Sequence, residues 1–306
     1  MTLNTDDMLA PAMVVGTDGL IGHALFTELT FRGLPVIGST RRKPSKSHSQ
    51  LLIDLEQPAE RWQLPKRVSI AYLCAGIAAI DQCTQTPEAT AAINCTATIA
   101  LAHALADRGA TVVYLSSNQV FDGTAPLRKA TDTPCAITEY GKQKAITEQA
   151  ILALGDRGVI VRLTKVLGPV SPLLAGWQQS LEQGKPIHPF HDMHMAPIST
   201  NLVVQALANI AKASLNDGDR LQGDDRLVQI SATHDVTYLQ AALHIARQTG
   251  ADPALAQAIS ARSIGLPIEA TPSHTSMDTQ TLTHQLHLSA PDPLATIDDV
   301  LNLPAD

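Results

Sequence analysis

Aromatic residues are scarce in this chain: two Trp, four Tyr and four Phe among 306 residues. That supplies too few stacking platforms for a protein that holds single-stranded nucleic acid. Positive charge is also short, with 22 basic side chains against 29 acidic ones and a net charge of −7. A binder of nucleic-acid backbone needs clustered positive charge to displace counterions, so no nucleic-acid partner is expected. No apolar run approaches the roughly 20 residues that cross a bilayer, and no membrane partner is expected. The four cysteines, Cys74, Cys83, Cys95 and Cys135, form no CxxC pair and no short disulfide framework. In a chain of this size that points to a reducing compartment. The opening residues, MTLNTDDML, carry acids where a secretory leader carries bases. The expected location is therefore cytoplasmic.

What the chain has in quantity is apolar surface to bury. Hydrophobic residues make up 44 % and charged residues 17 %, which implies a sizeable core and argues against long-range disorder. The length allows one large domain or two modest ones. Short apolar runs at Ala12–Val15, Pro35–Gly38, Leu51–Ile53, Ser69–Leu73, Thr111–Leu115 and Val159–Arg162 read as strands. Helical stretches lie between several of them: His23–Arg32 closed by Gly33, an alanine-rich helix from Thr90 to Asp107, and a helix from about Thr138 to Leu154. This alternation predicts an α/β fold, a doubly wound parallel Rossmann sheet covered on both faces. After residue 165 prolines punctuate the pattern. A helix at Asn201–Ala213, a strand at Leu227–Ile230 and a helix at Tyr238–Thr249 follow. The expected organisation is a dinucleotide-binding domain over residues 1–165, with returning segments near 196–232. Residues 166–306 would form mainly a small substrate lobe.

Gly16, Gly19 and Gly22 sit at three-residue spacing between the first strand and the first helix. A glycine there permits a tight turn, another lets backbone approach a pyrophosphate, and a third allows close helix–strand packing. The helix start adds unpaired N–H groups and the positive end of the helix dipole. Asp18, Leu20 and Ile21 belong to the same candidate cofactor segment. At the end of the second strand an acid would bind the ribose hydroxyls of NAD, whereas bases accept the 2′-phosphate of NADP. The residues are Ser39, Thr40, Arg41, Arg42 and Lys43, with no acid among them, so NADP(H) is expected over NAD(H).

Tyr140 and Lys144 stand one helical turn apart. A phenol is a poor acid–base catalyst at its ordinary pKa of about 10, and a neighbouring ammonium favours the phenolate and brings it toward working pH. The pair opens the helix that follows Ser116 and Ser117 at a strand end. Ligands of parallel sheets bind at that carboxyl edge.

With these residues in place the chain resembles an extended short-chain dehydrogenase/reductase, and most of all the dTDP-4-dehydrorhamnose reductase family of sugar-nucleotide enzymes. The resembling stretches are Gly16–Gly22, Asp54-Leu55, Ala75-Gly76, Asn94, Leu115-Ser-Ser-Asn-Gln-Val-Phe-Asp-Gly123, Tyr140–Lys144, Ala196–Ser199, Ile230–Tyr238 and Ser276–Asp278. The resemblance implies a reductase of a keto group on a nucleotide-linked sugar. Ser117 would hydrogen-bond the substrate carbonyl, Tyr140 would act as general acid, and Lys144 would tune Tyr140 and hold ribose. Asp54 and Leu55 would flank the adenine, Cys74, Ala75 and Gly76 would line the cofactor path, and Asn94 would support the backbone there. Val120, Phe121 and Lys165 would face substrate. The sequence departs from the family pattern at Ser117-Asn118-Gln119, at Gln143 and at Lys165, where an aromatic residue is usual. Lys165 could answer an anionic substrate or be a surface lysine.

Two other functions remain open: a nucleotide-sugar epimerase or dehydratase, and a dinucleotide-binding regulatory subunit without chemistry. His188, His191 and His194 recur every third residue, but Pro186 and Pro189 disfavour a helix that would gather them, so no metal is expected. The alanine-rich helix could pack against its copy in a homodimer or lie inside one subunit.

Overall fold

The computed structural model describes residues 10–42, 50–215, 221–267 and 271–303. Lys43 and the first nine residues, both read above, lie outside the described residues. In chain order the elements begin with β1 (Ala12–Val15), α1 (Leu20–Phe31), β2 (Val36–Thr40), β3 (Gln50–Leu52) and β4 (Ile70–Leu73). They continue with α2 (Ile80–Gln85), α3 (Pro87–Ala91), a π turn at Ala92–Ala97 and α4 (Thr98–Ala106). Next come β5 (Thr111–Ser117), α5 (Glu139–Leu152), β6 (Gly158–Leu163), β7 (Lys165–Leu167) and α6 (Pro172–Glu182). The last are β8 (His194–Met195), β9 (Pro197–Ser199), α7 (Thr200–Leu215), β10 (Leu227–Ile230), β11 (Val236–Thr237), α8 (Tyr238–Thr249), α9 (Gln280–His284) and α10 (Pro293–Leu301).

Among the described residues seven strands form one sheet in the order β10-β6-β5-β4-β1-β2-β3. The pairs β5–β4, β4–β1, β1–β2 and β2–β3 are parallel, with Val15 beside Leu73 and Leu73 beside Tyr114. This is the α/β Rossmann architecture expected from the strand–helix alternation. Its central strands are largely apolar because both faces are covered: all four residues of β4 are buried, as are Met13, Val14 and Val15 of β1. The order reverses between β1 and β4, which places the loops after these strands at a switch point of the sheet.

The chain divides into two compact units. The first holds the chain up to Ser116 together with Lys142–Val161 and Val204–Leu227. Its core joins Met13, Val15, Leu73, Leu101, Leu105 and Ile160. Each such side chain contributes about 1.5–3 kcal/mol when fully buried. The second unit holds Ser117–Gly141, Arg162–Val203 and the chain from Val228 onward. Its core sets Leu174 and Leu181 of α6 with Ala241, Ala242 and Ile245 of α8 and Ile297 of α10. Trp177 and Tyr238 meet edge to face there, with centroids 6.2 Å apart. α8 starts on a capping box between Thr237 and Gln240.

Two expectations need correction. The Thr90–Asp107 helix is broken by the π turn at Ala92–Ala97, and its helical run begins earlier, at Pro87. That run, Pro87–Ala106, is 20 residues long and apolar enough by length and composition to match a membrane span, so the chain does contain a run of that size. In the fold its inward residues, among them Leu101 and Leu105, pack into the core of the first unit.

Candidate functional site

The glycine segment closes on itself for steric reasons that can be followed atom by atom. Gly16 turns with φ +90°, and a Cβ there would stand 2.8–2.9 Å from the backbone N and Cα of Ala75. A Cβ on Gly22 would press into the Gly16 carbonyl, with the Gly16 carbonyl carbon 2.9 Å away. Gly16 and Gly22 are therefore required by the packing of α1 against the β1 turn and the segment after β4. Gly19 differs: its nearest neighbour to an added Cβ is the Gly16 oxygen at 3.6 Å, an ordinary contact. Gly19 caps α1 and, lacking a side chain, makes no side-chain bond to the first N–H groups of that helix. A helix start capped by glycine can receive an anion on such groups.

A cavity of about 520 Å³ opens at this point, within the size range of cofactor pockets. Gly16, Asp18 and Gly19 line it from the cradle, Arg41 and Arg42 from the end of β2, and Asp54 and Leu55 from the segment after β3. Cys74, Ala75 and Gly76 line it from the end of β4. Ten sequence-predicted cofactor residues thus share one cavity. Leu20, Ile21, Gly22, Ser39, Thr40, Asn94, Tyr140 and Lys144, also read as cofactor residues, are not among its lining residues. The sequence reading missed Ile53, Glu56, Ile77, Ala78, Ala79, Gln82 and Ile93, which also line it. The segment following Ala75-Gly76 was the available signal for most of them, since the cavity simply continues along the chain.

The hydroxyls at the end of β2 serve the cradle itself. Ser39 is buried, and its Oγ accepts from the Gly16 N–H at 3.1 Å. The Thr40 hydroxyl donates to Asp18 Oδ2 at 2.8 Å and accepts from the Arg42 N–H at 3.0 Å. The exposed guanidinium groups of Arg41 and Arg42 are what this edge offers to a ligand. Arg41 lies 3.9 Å from Glu56, both side chains well exposed, a pairing too loose to hold it back from a phosphate.

Lys144 reaches the carboxyl end of β5 from α5. Its Nζ donates to the Leu115 carbonyl at 2.8 Å and stands 4.6 Å from the centre of the Tyr114 ring. Burial pulls its pKa down to about 8, opposed by the charge of Glu148 and by the thiols of Cys74, Cys95 and Cys83. Cys74 is partly exposed as a residue, but its thiol is enclosed, and burial pushes that thiol up to about 12. It is no thiolate at neutral pH.

Asn94 is buried in the π turn and wholly engaged with protein. Its Oδ1 accepts from the Ile77 N–H at 2.8 Å, and its Nδ2 donates to the Ile77 carbonyl at 3.0 Å and to Gln143 Oε1 at 2.8 Å. Gln143, in turn, donates to Thr90 Oγ1 at 2.9 Å and to the Pro87 carbonyl at 3.2 Å. The departure from the family pattern at Gln143 is therefore a bridge between α5 and the Pro87–Ala97 segment.

In the second unit Ser117 ends β5 and caps the 3₁₀ turn Asn118–Val120: its Oγ accepts from the Gln119 N–H at 3.2 Å and donates to Asn118 Oδ1 at 3.3 Å. The first turn of α5 is held tightly beside this turn. A Cβ on Gly141 would collide with the Gln119 carbonyl, and Thr138 Oγ1 accepts from the Gly141 N–H at 2.9 Å. Gly141 thus lets the start of α5, which carries Tyr140, approach the turn that carries Ser117. Val120 and Phe121 are buried, 0 % and 5 % exposed, so they support this turn instead of displaying side chains. Arg162 and Arg128 stack their guanidinium groups 5.0 and 5.7 Å from the Phe121 ring centre.

Lys165 is exposed on β7 beside Pro197 of β9. His188 and His191 are exposed, whereas His194 lies in β8 with its ring centre 6.3 Å from that of His274. Among the described residues no group of three or more His, Cys, Asp or Glu side chains is arranged to hold a metal ion.

A family profile described as RmlD substrate binding domain matches residues 11–303. The chain is 29 % identical over 216 residues to the probable low-salt glycan biosynthesis reductase Agl14 of Haloferax volcanii, covering 67 % of this chain and 72 % of that protein. It is 30 % identical over 173 residues to methionine adenosyltransferase 2 subunit beta of Xenopus laevis, covering 55 % of this chain and spanning about half, 51 %, of that relative. Among solved structures, the dTDP-4-dehydrorhamnose reductase of Bacillus anthracis in complex with NADP superposes with a TM-score of 0.79 at 19 % identity, over 96 % of this chain and 99 % of that one. MoeE5 in complex with UDP-glucose and NAD superposes with a TM-score of 0.73 at 24 % identity, over 96 % and 99 % of the two chains. At these identities the structural likeness speaks to the fold.

Proposed function

The chain belongs to the family described as RmlD substrate binding domain, and from that premise we propose that it is an NADP(H)-dependent oxidoreductase that reduces a keto group on a nucleotide-linked sugar. The observation that carries the reading is the conjunction of a dinucleotide-sized cavity at the glycine cradle with Lys144 at the carboxyl end of the same parallel sheet. The residues present suit a nicotinamide dinucleotide. The uncapped start of α1 would take the pyrophosphate, Arg41 and Arg42 a 2′-phosphate, and Asp54 and Leu55 would border the adenine. When bound, the nicotinamide would supply the hydride.

The chain's own groups would do the rest. Tyr140 would give the proton to the carbonyl oxygen through its phenol O–H, and Ser117 would orient that carbonyl. Lys144, charged at neutral pH, would stabilise the phenolate left behind and hold the ribose. Lys165, exposed on β7, is the basic group we assign to an anionic part of the substrate. The relative from Haloferax volcanii, a reductase by name, supports this reading. The likeness to methionine adenosyltransferase 2 subunit beta favours a second one, a dinucleotide-binding subunit that serves another enzyme. An NAD-bound structural neighbour keeps the epimerase or dehydratase alternative in view.

Tyr140→Phe separates chemistry from binding. It should lower turnover about 10²-fold or more and leave cofactor binding nearly intact. Near-wild-type turnover in that variant overturns the role given to Tyr140.

A further inference from the structure

Glu148 is an acid in a place where charge is costly. It lies on α5, is 2 % exposed, and has no part in the reaction proposed above. It follows Lys144 by four residues, as Lys144 follows Tyr140, so the three side chains stand one above another on one helix face. Lys144 is itself 8 % exposed. An isolated ammonium in such surroundings tends to give up its proton, because burial disfavours the charged form.

The groups around the Lys144 ammonium come from several elements. β5 supplies the Leu115 carbonyl and the Tyr114 ring. Cys74 comes from the end of β4, Cys83 from α2 and Cys95 from the π turn. A carbonyl and an aromatic face attract a cation without balancing its charge. Burial raises the Cys74 and Cys95 thiols, so these two keep their protons at neutral pH. Glu148 is the carboxyl group in this set, and its charge opposes the effect of burial on Lys144.

We propose that Glu148 is a positioning residue, which keeps the Lys144 ammonium charged and in place at the carboxyl end of β5. The inference rests on the reading of Lys144 as the partner of Tyr140. Without Glu148, burial would carry Lys144 to its neutral form inside the working pH range, and the phenol of Tyr140 would lose its cation.

The test is a double-mutant cycle on the full chain with Glu148→Gln, Lys144→Met and the pair, followed by urea unfolding at pH 7 and near pH 10. Favourable coupling of about tenfold or more in the unfolding constant is expected at pH 7, where Lys144 is charged. It should vanish near pH 10, where the folded protein holds Lys144 neutral. A merely structural contact would give the same coupling at both pH values, and that result, or no coupling at pH 7, overturns the proposal. If Glu148→Gln alone does not fold, adding Lys144→Met should restore folding by removing the unbalanced cation; failure of that rescue also overturns it. The cycle needs no substrate and no turnover, so its outcome is independent of whether the wild-type protein proves to be a reductase.

Discussion

Gly22 and Gly19 occupy the same turn, yet the structure gives them different duties, and two single substitutions separate these. In Gly22→Ala the new methyl would press into the Gly16 carbonyl, stand 2.9 Å from its carbon and lie 3.4 Å from Cys74 Cβ. Neither side can yield cheaply. Gly16 is itself fixed at φ +90° with its own missing Cβ position 2.8 Å from the Ala75 nitrogen, and Gly22 is buried inside α1. Overpacking of rigid backbone costs about 3 kcal/mol here, the upper end of the usual range. For a chain of 306 residues that lowers the melting temperature by roughly 5 °C. Gly19→Ala adds a methyl 3.6 Å from its nearest neighbour, on the wall of the cavity. Its effect on stability should stay within about 1 kcal/mol, the usual size of a change at an N-cap. Its methyl would occupy the approach of a pyrophosphate to the start of α1, so NADPH affinity should fall about tenfold or more. Thermal or urea unfolding paired with NADPH titration measures both effects. A stable Gly22→Ala protein, or a Gly19→Ala protein that binds NADPH as the wild type does, refutes the division of labour.

Three further outcomes follow from the same geometry. Lys144 is protonated in both folded and unfolded chains below about pH 8, and its burial cost is then complete. Between about pH 8 and its ordinary 10.5 the unfolded chain holds more protons, so stability rises with pH by about 3 kcal/mol from this group. Cys74 acts in the opposite sense above about pH 9 and is coupled to Lys144, so the stability difference between wild type and Lys144→Met, measured by urea unfolding from pH 7.5 to 10.5, carries the lysine together with that coupling and should change in favour of wild type as pH rises. Arg41→Ala combined with Arg42→Ala should weaken NADPH binding about 10- to 100-fold and leave NADH binding unchanged, as loss of charge-assisted bonds to a single phosphate would. Lys165→Ala should reduce the preference for charged over neutral keto substrates in a substrate screen, and an unchanged preference removes Lys165 from the substrate site.

The parts of the molecule legible in its sequence are those where one residue type answers one physical demand. β1, the three glycines and α1 were readable because a tight turn between an apolar run and a helix has few solutions. Tyr140 and Lys144 were readable from helical spacing, and the strands from apolar runs too short for helices. In the sequence alone the prolines after residue 165 read as interruptions. Pro172 and Pro293 instead open α6 and α10, where a missing N–H costs nothing, and Asp292 caps the second of these helices. The π turn at Ala92–Ala97 had no periodic signature, since one widened turn leaves the surrounding apolar pattern almost intact. Within the site, Gln143 read only as a departure from the family pattern because the sequence cannot show Thr90, Pro87 and Asn94 converging on it. Ser39 and Thr40 looked like ligand hydroxyls because their partners, the Gly16 N–H and Asp18, lie more than twenty residues away in the chain.

The central claim is that the cradle binds NADP(H) for reduction of a keto substrate. Titration of the purified protein with NADPH and with NADH, followed by nicotinamide fluorescence, tests it most directly. The account predicts saturable binding of both, tighter for NADPH by about tenfold or more, in line with two guanidinium groups meeting one extra phosphate. Equal affinity for the two would remove the role given to Arg41 and Arg42, and failure of both to bind would contradict the oxidoreductase reading itself.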